Sequence, residues 1–144
     1  NQRIVMIGLG SLGASIAELL TRAGVTQLTC IDGNALEMGN LCRHTLCMTD
    51  LYQSKSKLVA KRLTNIDPNI HTTYAERYLD IDETGALVPD LSSFDIIIDS
   101  TGEDQVLALL SATEWKRKIV FCSSSVGLGA KRTLTFLSDI VVFI

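Results

Sequence analysis

The 144-residue chain lacks several features that would each assign it to a class of protein. Although 47% of its residues are hydrophobic, no apolar run approaches the roughly 18 residues that a membrane-spanning helix needs. Its net charge of -3 provides no overall positive field for a nucleic acid. Internal repeats and low-complexity tracts are also missing. We therefore expect a soluble globular protein with no membrane partner, for which nucleic acid is an unlikely ligand.

The four cysteines lack the spacing of a metal or disulfide motif. They include no C-x-x-C pair, and Cys30 and Cys122 lie in apolar, strand-like runs where a thiol behaves as a small hydrophobic group. The first residues do not have the pattern of a secretory leader. Reduced thiols without a leader favour a cytoplasmic protein.

Both ends of the chain resemble internal positions of a longer one. The sequence begins without Met and ends inside an apolar run at residues 140–144, an edge that a complete protein is expected to cover. A length of 144 residues suits one domain with a real core. We expect residues 1–144 to be a single nucleotide-binding domain excerpted from a longer polypeptide.

Within residues 3–14, RIVMIGLGSLGA, an apolar strand-like run breaks into glycines and restarts as a helix. Gly8, Gly10 and Gly13 have the G-x-G-x-x-G spacing, which gives a tight turn, a bare backbone that a phosphate can approach, and close helix-to-strand packing. The start of the helix attracts anions. Asp32 closes the next apolar run, about where such folds place the acid that binds a ribose hydroxyl. These features predict a nucleotide site; a helix of small residues that serves packing alone is the alternative.

Strand-like and helix-like segments alternate through most of the chain. After the first strand, we expect strands at residues 27–31, 71–78, 94–99 and 118–122, and helices at residues 12–23, 54–65 and 103–116. This order predicts an α/β fold with a doubly wound, mostly parallel sheet and helices on both faces. Residues 130–137 and 140–144 follow without a helix between them and predict an antiparallel edge hairpin. Residues 80–91 are interpreted as a connection.

Polar residues follow Asp32 in quick succession, within and just after a long irregular segment. Asn40, Arg43 and Lys55 are the most informative of them. A dinucleotide dehydrogenase has little use for such cations, because backbone amides satisfy most of its pyrophosphate. A triphosphate cleaved between its α and β phosphates builds negative charge on the leaving pyrophosphate, which Arg and Lys are suited to hold. The alternative is that Arg43 and Lys55 are ordinary surface charges.

Three blocks of sequence match one known pattern. They are DGNALEMGNLCRHTL at residues 32–46, QSK at residues 53–55 and LTNIDP at residues 63–68. The chain thereby resembles the ThiF/MoeB/ubiquitin-activating-enzyme (HesA/MoeB/ThiF) family of adenylyltransferases, whose pattern runs D-x-D-x-V-x-x-S-N-L-x-R-Q, a lysine and N-P. The resemblance implies a Rossmann-like domain that binds ATP and Mg and adenylates the C-terminal glycine carboxylate of a ubiquitin-like or sulfur-carrier protein.

The same resemblance implies roles for individual residues. By position, Asp32 is expected to bind the ribose hydroxyls, Asn40 and Arg43 to contact the phosphates, and Lys55 to stabilise the transferring α-phosphate. Arg43 and Lys55 are therefore the expected catalytic residues. Lys57 is a rival for the lysine, because the spacing from Arg43 is one residue shorter than in the family.

The metal ligand is unknown from the sequence. Gly102 stands where the family carries the acid that holds magnesium. Glu103, Asp104 and Asp99 are the acids that could serve instead, since magnesium needs only one or two carboxylates besides phosphate oxygens and water.

Family members usually pair through an apolar edge, so the resemblance also implies a homodimer. Three other functions stay open: an ATP-dependent tRNA-modifying dehydratase of the same fold, an NAD-binding oxidoreductase domain and a non-catalytic scaffold. The acidic balance counts against the dehydratase, and Gly102 counts in favour of the scaffold.

Overall fold

The computed structural model describes residues 2–126 and 133–140. Within these residues the helices are α1 (Ser11–Arg22), α2 (Lys55–Ile66) and α3 (Asp104–Ala112). The strands are β1 (Ile4–Ile7), β2 (Gln27–Ile31), β3 (His71–Ala75), β4 (Asp80–Ile81), β5 (Leu87–Val88), β6 (Ile96–Asp99), β7 (Ile119–Val126) and β8 (Thr133–Ile140). Two short 3₁₀ helices, Met38–Arg43 and Met48–Asp50, occupy the irregular segment between β2 and α2.

The six-stranded sheet has the strand order β3-β2-β1-β6-β7-β8, with β1 and β6 in the middle. β1 pairs in parallel with β2 on one side and β6 on the other, so that Ile4 lies between Leu28 and Ile96. All four of its residues are buried, as expected of a parallel strand covered on both faces. The chain order reverses at β1, and α/β folds bind ligands at such switch points.

Alternate side chains of β1 belong to different cores on the two faces of the sheet. Ile4 and Met6 pack in a cluster with residues of α1 and α2, including Ala14, Ala17, Val59 and Leu63. Val5 and Ile7 pack in a second cluster with Leu110 of α3, Trp115 and Phe121. The prediction of a mostly parallel sheet with helices on both faces is therefore confirmed.

Helix α3 is shorter than the 14 residues that periodicity predicts, because side chains take over its last carbonyls. The helix ends at Ala112. The Thr113 hydroxyl donates to the Leu109 carbonyl at 2.8 Å, and the Trp115 indole N–H donates to the Leu110 carbonyl at 3.2 Å. These bonds satisfy carbonyls that an added helical turn would otherwise use.

Two predictions about strands need correction. Residues 80–91, interpreted as a connection, contain the small antiparallel pair β4–β5, whose turn is made by Gly85 at φ +83° and by the Asp82 carboxylate. The edge hairpin is formed by β7 and β8, not by residues 130–137 with 140–144. β8 runs unbroken through Ser138, which pairs with Phe121, and residues 141–144 lie outside the described residues.

Within residues 2–126 and 133–140, none of the helices has the length and apolar character required to cross a bilayer.

Candidate functional site

Two neighbouring cavities lie at the edge of the sheet where β1, β2 and β6 end. The larger, of about 520 Å³, is bounded by these strand ends and by the segment after β3. The smaller, of about 320 Å³, is bounded by the start of α1, the first 3₁₀ helix and the end of β7. Gly10, Ser100 and Thr101 line both cavities and form the wall that they share. This carboxyl edge is where α/β folds bind their ligands.

The glycine loop after β1 has the geometry that its spacing predicts. Gly8 has a φ of +83°, and a Cβ on it would lie 2.8 Å from the Thr101 nitrogen. A Cβ on Gly13 would lie 2.0 Å from the Gly8 carbonyl oxygen, so α1 can approach β1 this closely only because residue 13 has no side chain. At Gly10, by contrast, a Cβ would meet nothing within 4 Å and would extend into open space.

The three glycines therefore differ in their relation to the cavities. Gly8 and Gly10 line the larger cavity, and Gly13 packs behind them and lines neither of the two. Gly10 is the N-cap of α1, and no side chain of the described residues caps it. The unpaired amides of the first helical turn are donors for an anion at the shared wall.

Asp32 is buried at the end of β2 and lines the larger cavity. Its Oδ2 accepts the backbone N–H of Leu9 at 2.7 Å, and its Oδ1 accepts that of Asn34 at 2.8 Å. A carboxylate offers about four acceptor positions, which leaves capacity for the hydroxyls of a ligand. Asp32 thus also anchors the glycine loop, a task that the sequence pattern did not indicate.

His44 anchors the same loop from the opposite side. Its Nε2 lies 2.7 Å from the Leu9 carbonyl oxygen, and its Nδ1 accepts the Leu46 N–H at 3.1 Å. The second bond requires an unprotonated Nδ1, so Nε2 carries the hydrogen and donates to Leu9. Sequence reasoning missed this residue; the available signal was a histidine where the family pattern has glutamine after its arginine.

The pKa of His44 is lowered from its ordinary value. Burial of the ring is the largest cause, and the charge of Lys55 acts in the same direction. The hydrogen bond to the Leu9 carbonyl and the charges of Asp32 and Asp50 oppose the shift. The neutral ring is therefore favoured in the folded protein.

The segment between β2 and α2 folds back on itself and brings the start of α2 to the larger cavity. Leu36 donates to the Gln53 carbonyl at 2.9 Å and accepts from Tyr52 at 2.8 Å, around a bridge between residues 35 and 54. Lys55, the first residue of α2, is consequently only 8% exposed and lines the cavity. Lys57 is exposed. Of the two rival lysines, only Lys55 lines a described cavity.

Asn40 and Arg43 line the smaller cavity, on the other side of the shared wall from Lys55. The Asn40 Oδ1 accepts the Glu37 N–H at 3.1 Å, which leaves the amide NH₂ as the group that can donate to a ligand. Arg43 ends the first 3₁₀ helix and is exposed. The residues predicted for one site thus divide between two adjoining cavities.

Tyr78 is a further wall residue that the sequence did not indicate. Its hydroxyl donates to the Asn34 Oδ1 at 2.7 Å, and its ring lies so close to Gly33 that a Cβ there would be 2.8 Å from ring carbons. Apolar side chains of Ile7, Ile31, Leu79 and Val106 line the same cavity. The larger cavity is therefore lined by both apolar and polar side chains, as is usual for small-molecule sites.

The three acids considered for a metal have different surroundings. Asp99 is buried; its Oδ1 accepts from the Thr101 N–H and hydroxyl at 3.0 and 2.7 Å, and its Oδ2 accepts from the Ser123 hydroxyl at 3.0 Å. Glu103 is exposed and lines the larger cavity, whereas Asp104 lines neither cavity. Among the described residues there is no group of three or more His, Cys, Asp or Glu side chains placed to hold a metal by themselves.

Solved structures with a similar backbone include E. coli MccB with ATP, at a TM-score of 0.73 and 17% identity over 88% of this chain and 37% of that one. E. coli tRNA N6-threonylcarbamoyladenosine dehydratase in complex with AMP is another, at a TM-score of 0.63 and 23% identity over 69% of this chain and 40% of that one. At these identities the likeness shows a shared fold.

Proteins that are related in sequence identify the chain more narrowly than these shared folds do. The chain is 33% identical over 139 residues to the ATP-dependent ubiquitin transferase-like protein Cap2 of Enterobacter hormaechei, covering 96% of this chain and 23% of that protein. It is 32% identical over 127 residues to the molybdopterin-synthase adenylyltransferase of Escherichia coli, covering 87% of this chain and 49% of that protein. The chain thus spans between about a quarter and a half of these relatives. The model of the ThiF family matches residues 1–140, and the chain belongs to that family.

Proposed function

We propose that this domain binds ATP and adenylates the C-terminal glycine carboxylate of a ubiquitin-like or sulfur-carrier protein. The relatives named as adenylyltransferases support the reaction type, including the sulfur carrier protein ThiS adenylyltransferase of Bacillus subtilis at 29% identity. The observation that carries the proposal is the shared wall: a glycine loop separates a cavity holding a buried lysine from a cavity holding an arginine and an amide.

In the proposed complex the nucleoside occupies the larger cavity. The apolar lining suits the base, and Asp32 has acceptor capacity for the ribose hydroxyls. The phosphates lie at the shared wall, near the N-terminus of α1, whose amides and dipole favour an anion. In this proposal Gly8 and Gly10 let the phosphates approach the bare backbone, and Gly13 lets α1 pack closely against β1.

The proposed chemistry needs positive charge on both sides of the α-phosphate. A carboxylate oxygen of the carrier attacks the α-phosphorus, the bond to the bridging oxygen breaks, and pyrophosphate leaves with the electron pair. The products are an acyl-adenylate and pyrophosphate. Lys55 stabilises charge on the α-phosphoryl group, while Arg43 and Asn40 hold the phosphates from the smaller cavity.

Magnesium is the proposed counterion, and Glu103 is the carboxylate that fits it. Glu103 lines the larger cavity, whereas Asp99 is buried, lines neither cavity and already accepts three hydrogen bonds. One carboxylate is enough when phosphate oxygens and water complete the coordination of the ion. When bound, magnesium neutralises part of the charge on the phosphates.

The test uses the full-length protein and carrier-dependent exchange of labelled pyrophosphate into ATP. The carrier is a purified ubiquitin-like or sulfur-carrier protein that ends in glycine. We expect Lys55→Ala and Arg43→Ala to lose most exchange, by up to roughly a thousandfold, while their ATP affinity changes much less. Lys57→Ala, an exposed lysine on the same helix, is the matched control and should retain most activity.

Three results would contradict parts of this proposal. Activity unchanged in both Arg43→Ala and Lys55→Ala would remove these residues from the reaction. Stronger thermal stabilisation by NAD than by ATP with magnesium would indicate a dinucleotide domain. ATP binding without exchange in the parent, with every available carrier, would indicate a non-catalytic scaffold. Only a shared fold supports the dehydratase alternative.

We further propose that the domain belongs to a longer cytoplasmic protein that forms a homodimer. Four free cysteines are consistent with a reducing compartment. The edge strand β8 exposes Leu134, Phe136 and Leu137, which lie on both of its faces and would suit burial against another surface. Light scattering at micromolar concentration tests the dimer, and a monomeric mass would overturn it.

A further inference from the structure

We propose that His44 is a positioning residue that orients the Gly10 amide for nucleotide phosphates, and that it does so only while its ring is neutral. Nucleotide affinity should then fall as His44 becomes protonated. The inference rests on the proposed function, because it names a pH control of that same site. His44 stands where the family pattern has glutamine, so the pH dependence of nucleotide affinity is not implied by that pattern.

Leu9, between the two cavity-lining glycines, makes a hydrogen bond through each of its main-chain groups. Its N–H donates to the Asp32 Oδ2, and its carbonyl accepts from the His44 Nε2, each at 2.7 Å. The two partners are distant in sequence, 23 residues on for the first and 35 for the second. Leu9 is fully buried, so the loss of either partner leaves a main-chain group without the hydrogen bond that it makes in the fold.

The Leu9 carbonyl sets the direction of the Gly10 N–H. The two groups belong to one planar trans peptide, in which they point in opposite directions. Gly10 has no side chain to restrain it, and a Cβ there would meet nothing within 4 Å. The hydrogen bond from His44 therefore restrains a donor that belongs to the shared wall of the two cavities.

The position of the His44 ring depends on its protonation, through the contact that Nδ1 makes. Nδ1 accepts the Leu46 N–H at 3.1 Å, and Leu46 is buried. An imidazolium has two N–H donors and no acceptor, so protonation turns this contact into two opposed donors. We expect the ring then to move and the Leu9 carbonyl to lose its partner.

The surroundings of His44 set the direction in which its pKa moves. Lys55, at the start of α2, disfavours the imidazolium, while Asp32 at the end of β2 and Asp50 in the second 3₁₀ helix favour it. Burial disfavours it most, so the pKa of His44 lies below its ordinary value near 6.5. Because the folded-state pKa is the lower one, the neutral ring dominates above pH 6.5 and is lost as pH falls through the folded-state pKa.

A simple charge effect predicts the opposite sign. His44 lines the smaller cavity, where an imidazolium would attract phosphate and raise nucleotide affinity at low pH. The direction of the pH dependence therefore separates positioning from charge attraction.

The experiment measures ATP affinity with magnesium by calorimetry on the full-length protein at pH 8.0 and pH 5.5. The parent should bind more weakly at pH 5.5, to the extent that His44 is protonated there, and about tenfold, the factor that one hydrogen bond contributes, is the upper limit of the loss. His44→Gln should match the parent at pH 8.0 and show none of this loss, because its amide donates at both pH values. His44→Ala should bind ATP more weakly than His44→Gln at both pH values. Comparison with His44→Gln cancels the titration of ATP itself.

His71 provides the matched control, because it is exposed on β3 and is the other of the two histidines in the chain. His71→Gln should keep the pH dependence of the parent. An identical pH dependence in His44→Gln, or tighter binding at pH 5.5 in the parent, would overturn the proposal.

A readout without nucleotide separates this proposal from the proposed function. In ¹⁵N NMR, the Gly10 amide should shift with the same midpoint as the His44 ring, and His44→Gln should abolish that shift. A Gly10 amide that does not respond would overturn the proposal. If ATP fails to bind at any pH while Gly10 still titrates with His44, the coupling of His44 to the Gly10 amide stands, whereas the proposed function and the use of that coupling for phosphates fail.

Discussion

Removing the Asp32 carboxylate should destabilise the fold as well as the proposed nucleotide site. In Asp32→Ala two backbone donors lose their acceptor, the Leu9 N–H at 2.7 Å and the Asn34 N–H at 2.8 Å. Leu9 is fully buried and cannot turn to water, which costs about 1–3 kcal/mol. Asn34 is exposed and its N–H can bond to solvent, so it adds little.

The total is therefore about 1–3 kcal/mol of the free energy of unfolding. For a domain of this size each kcal/mol corresponds to about 3 °C, so Asp32→Ala should melt about 3–9 °C below the parent. The assay is thermal denaturation without nucleotide, followed by circular dichroism. Asp32→Asn keeps an oxygen that can accept from Leu9, and it should lose less than half as much.

Asp80→Ala is the control, because Asp80 is an exposed acid that lines the same cavity. It should melt close to the parent. A parent-like melting temperature for Asp32→Ala would show that the carboxylate does not anchor the glycine loop. If Asp32→Asn is nearly as stable as the parent yet binds ATP with parent affinity, the assignment of Asp32 to the ribose is wrong.

Gly13→Ala should lower the free energy of unfolding by at least 1–3 kcal/mol, because its Cβ would lie 2.0 Å from a backbone oxygen. Gly10→Ala should fold normally and lose ATP affinity. Thermal melts and calorimetry on both variants check this, and equal stabilities of the two variants would contradict it. Burial raises the pKa of Cys30 to about 12, so in the native protein a thiol reagent followed by mass spectrometry should label the exposed Cys42 and leave Cys30 unmodified. The pKa of Asp95 is lowered by hydrogen bonds from the Arg3 backbone and the Arg117 side chain. Its contribution to stability is therefore present above pH 4 and is lost as pH falls further. In Asp95→Asn, acid unfolding curves should show a smaller change of stability with pH in that range.

The local sequence pattern was sufficient to predict the structure of the glycine loop. Strand, turn and helix at residues 3–14 follow from apolar runs and from glycine spacing, both of which act over a few residues. The buried run of β6 and the two-faced sheet follow from the same kind of signal. Patterns were less reliable where side chains replace backbone bonds, as at the end of α3, where Trp115 accounts for the early stop.

Tertiary contacts decided which polar residues share a cavity. The family pattern favoured Lys55 over its rival Lys57, but whether either lysine reaches the cavity depends on how residues 33–54 return to the end of β2. The same return brings His44 to Leu9, 35 residues earlier in the chain. No period or spacing encodes such a contact, because its geometry is set by the packing of elements that are remote in sequence.

By itself, then, the sequence determined the α/β architecture, the glycine loop, the acid at the end of β2 and the family, all of which depend on short-range periodicity or on motif spacing. Only the tertiary structure divided the expected site into two cavities, buried Lys55 in one and placed Arg43 in the other. Only the structure also gave Asp32 and His44 their common partner in Leu9. The physical reason is that hydrogen bonds and burial depend on distance in space, which spacing along the chain does not specify.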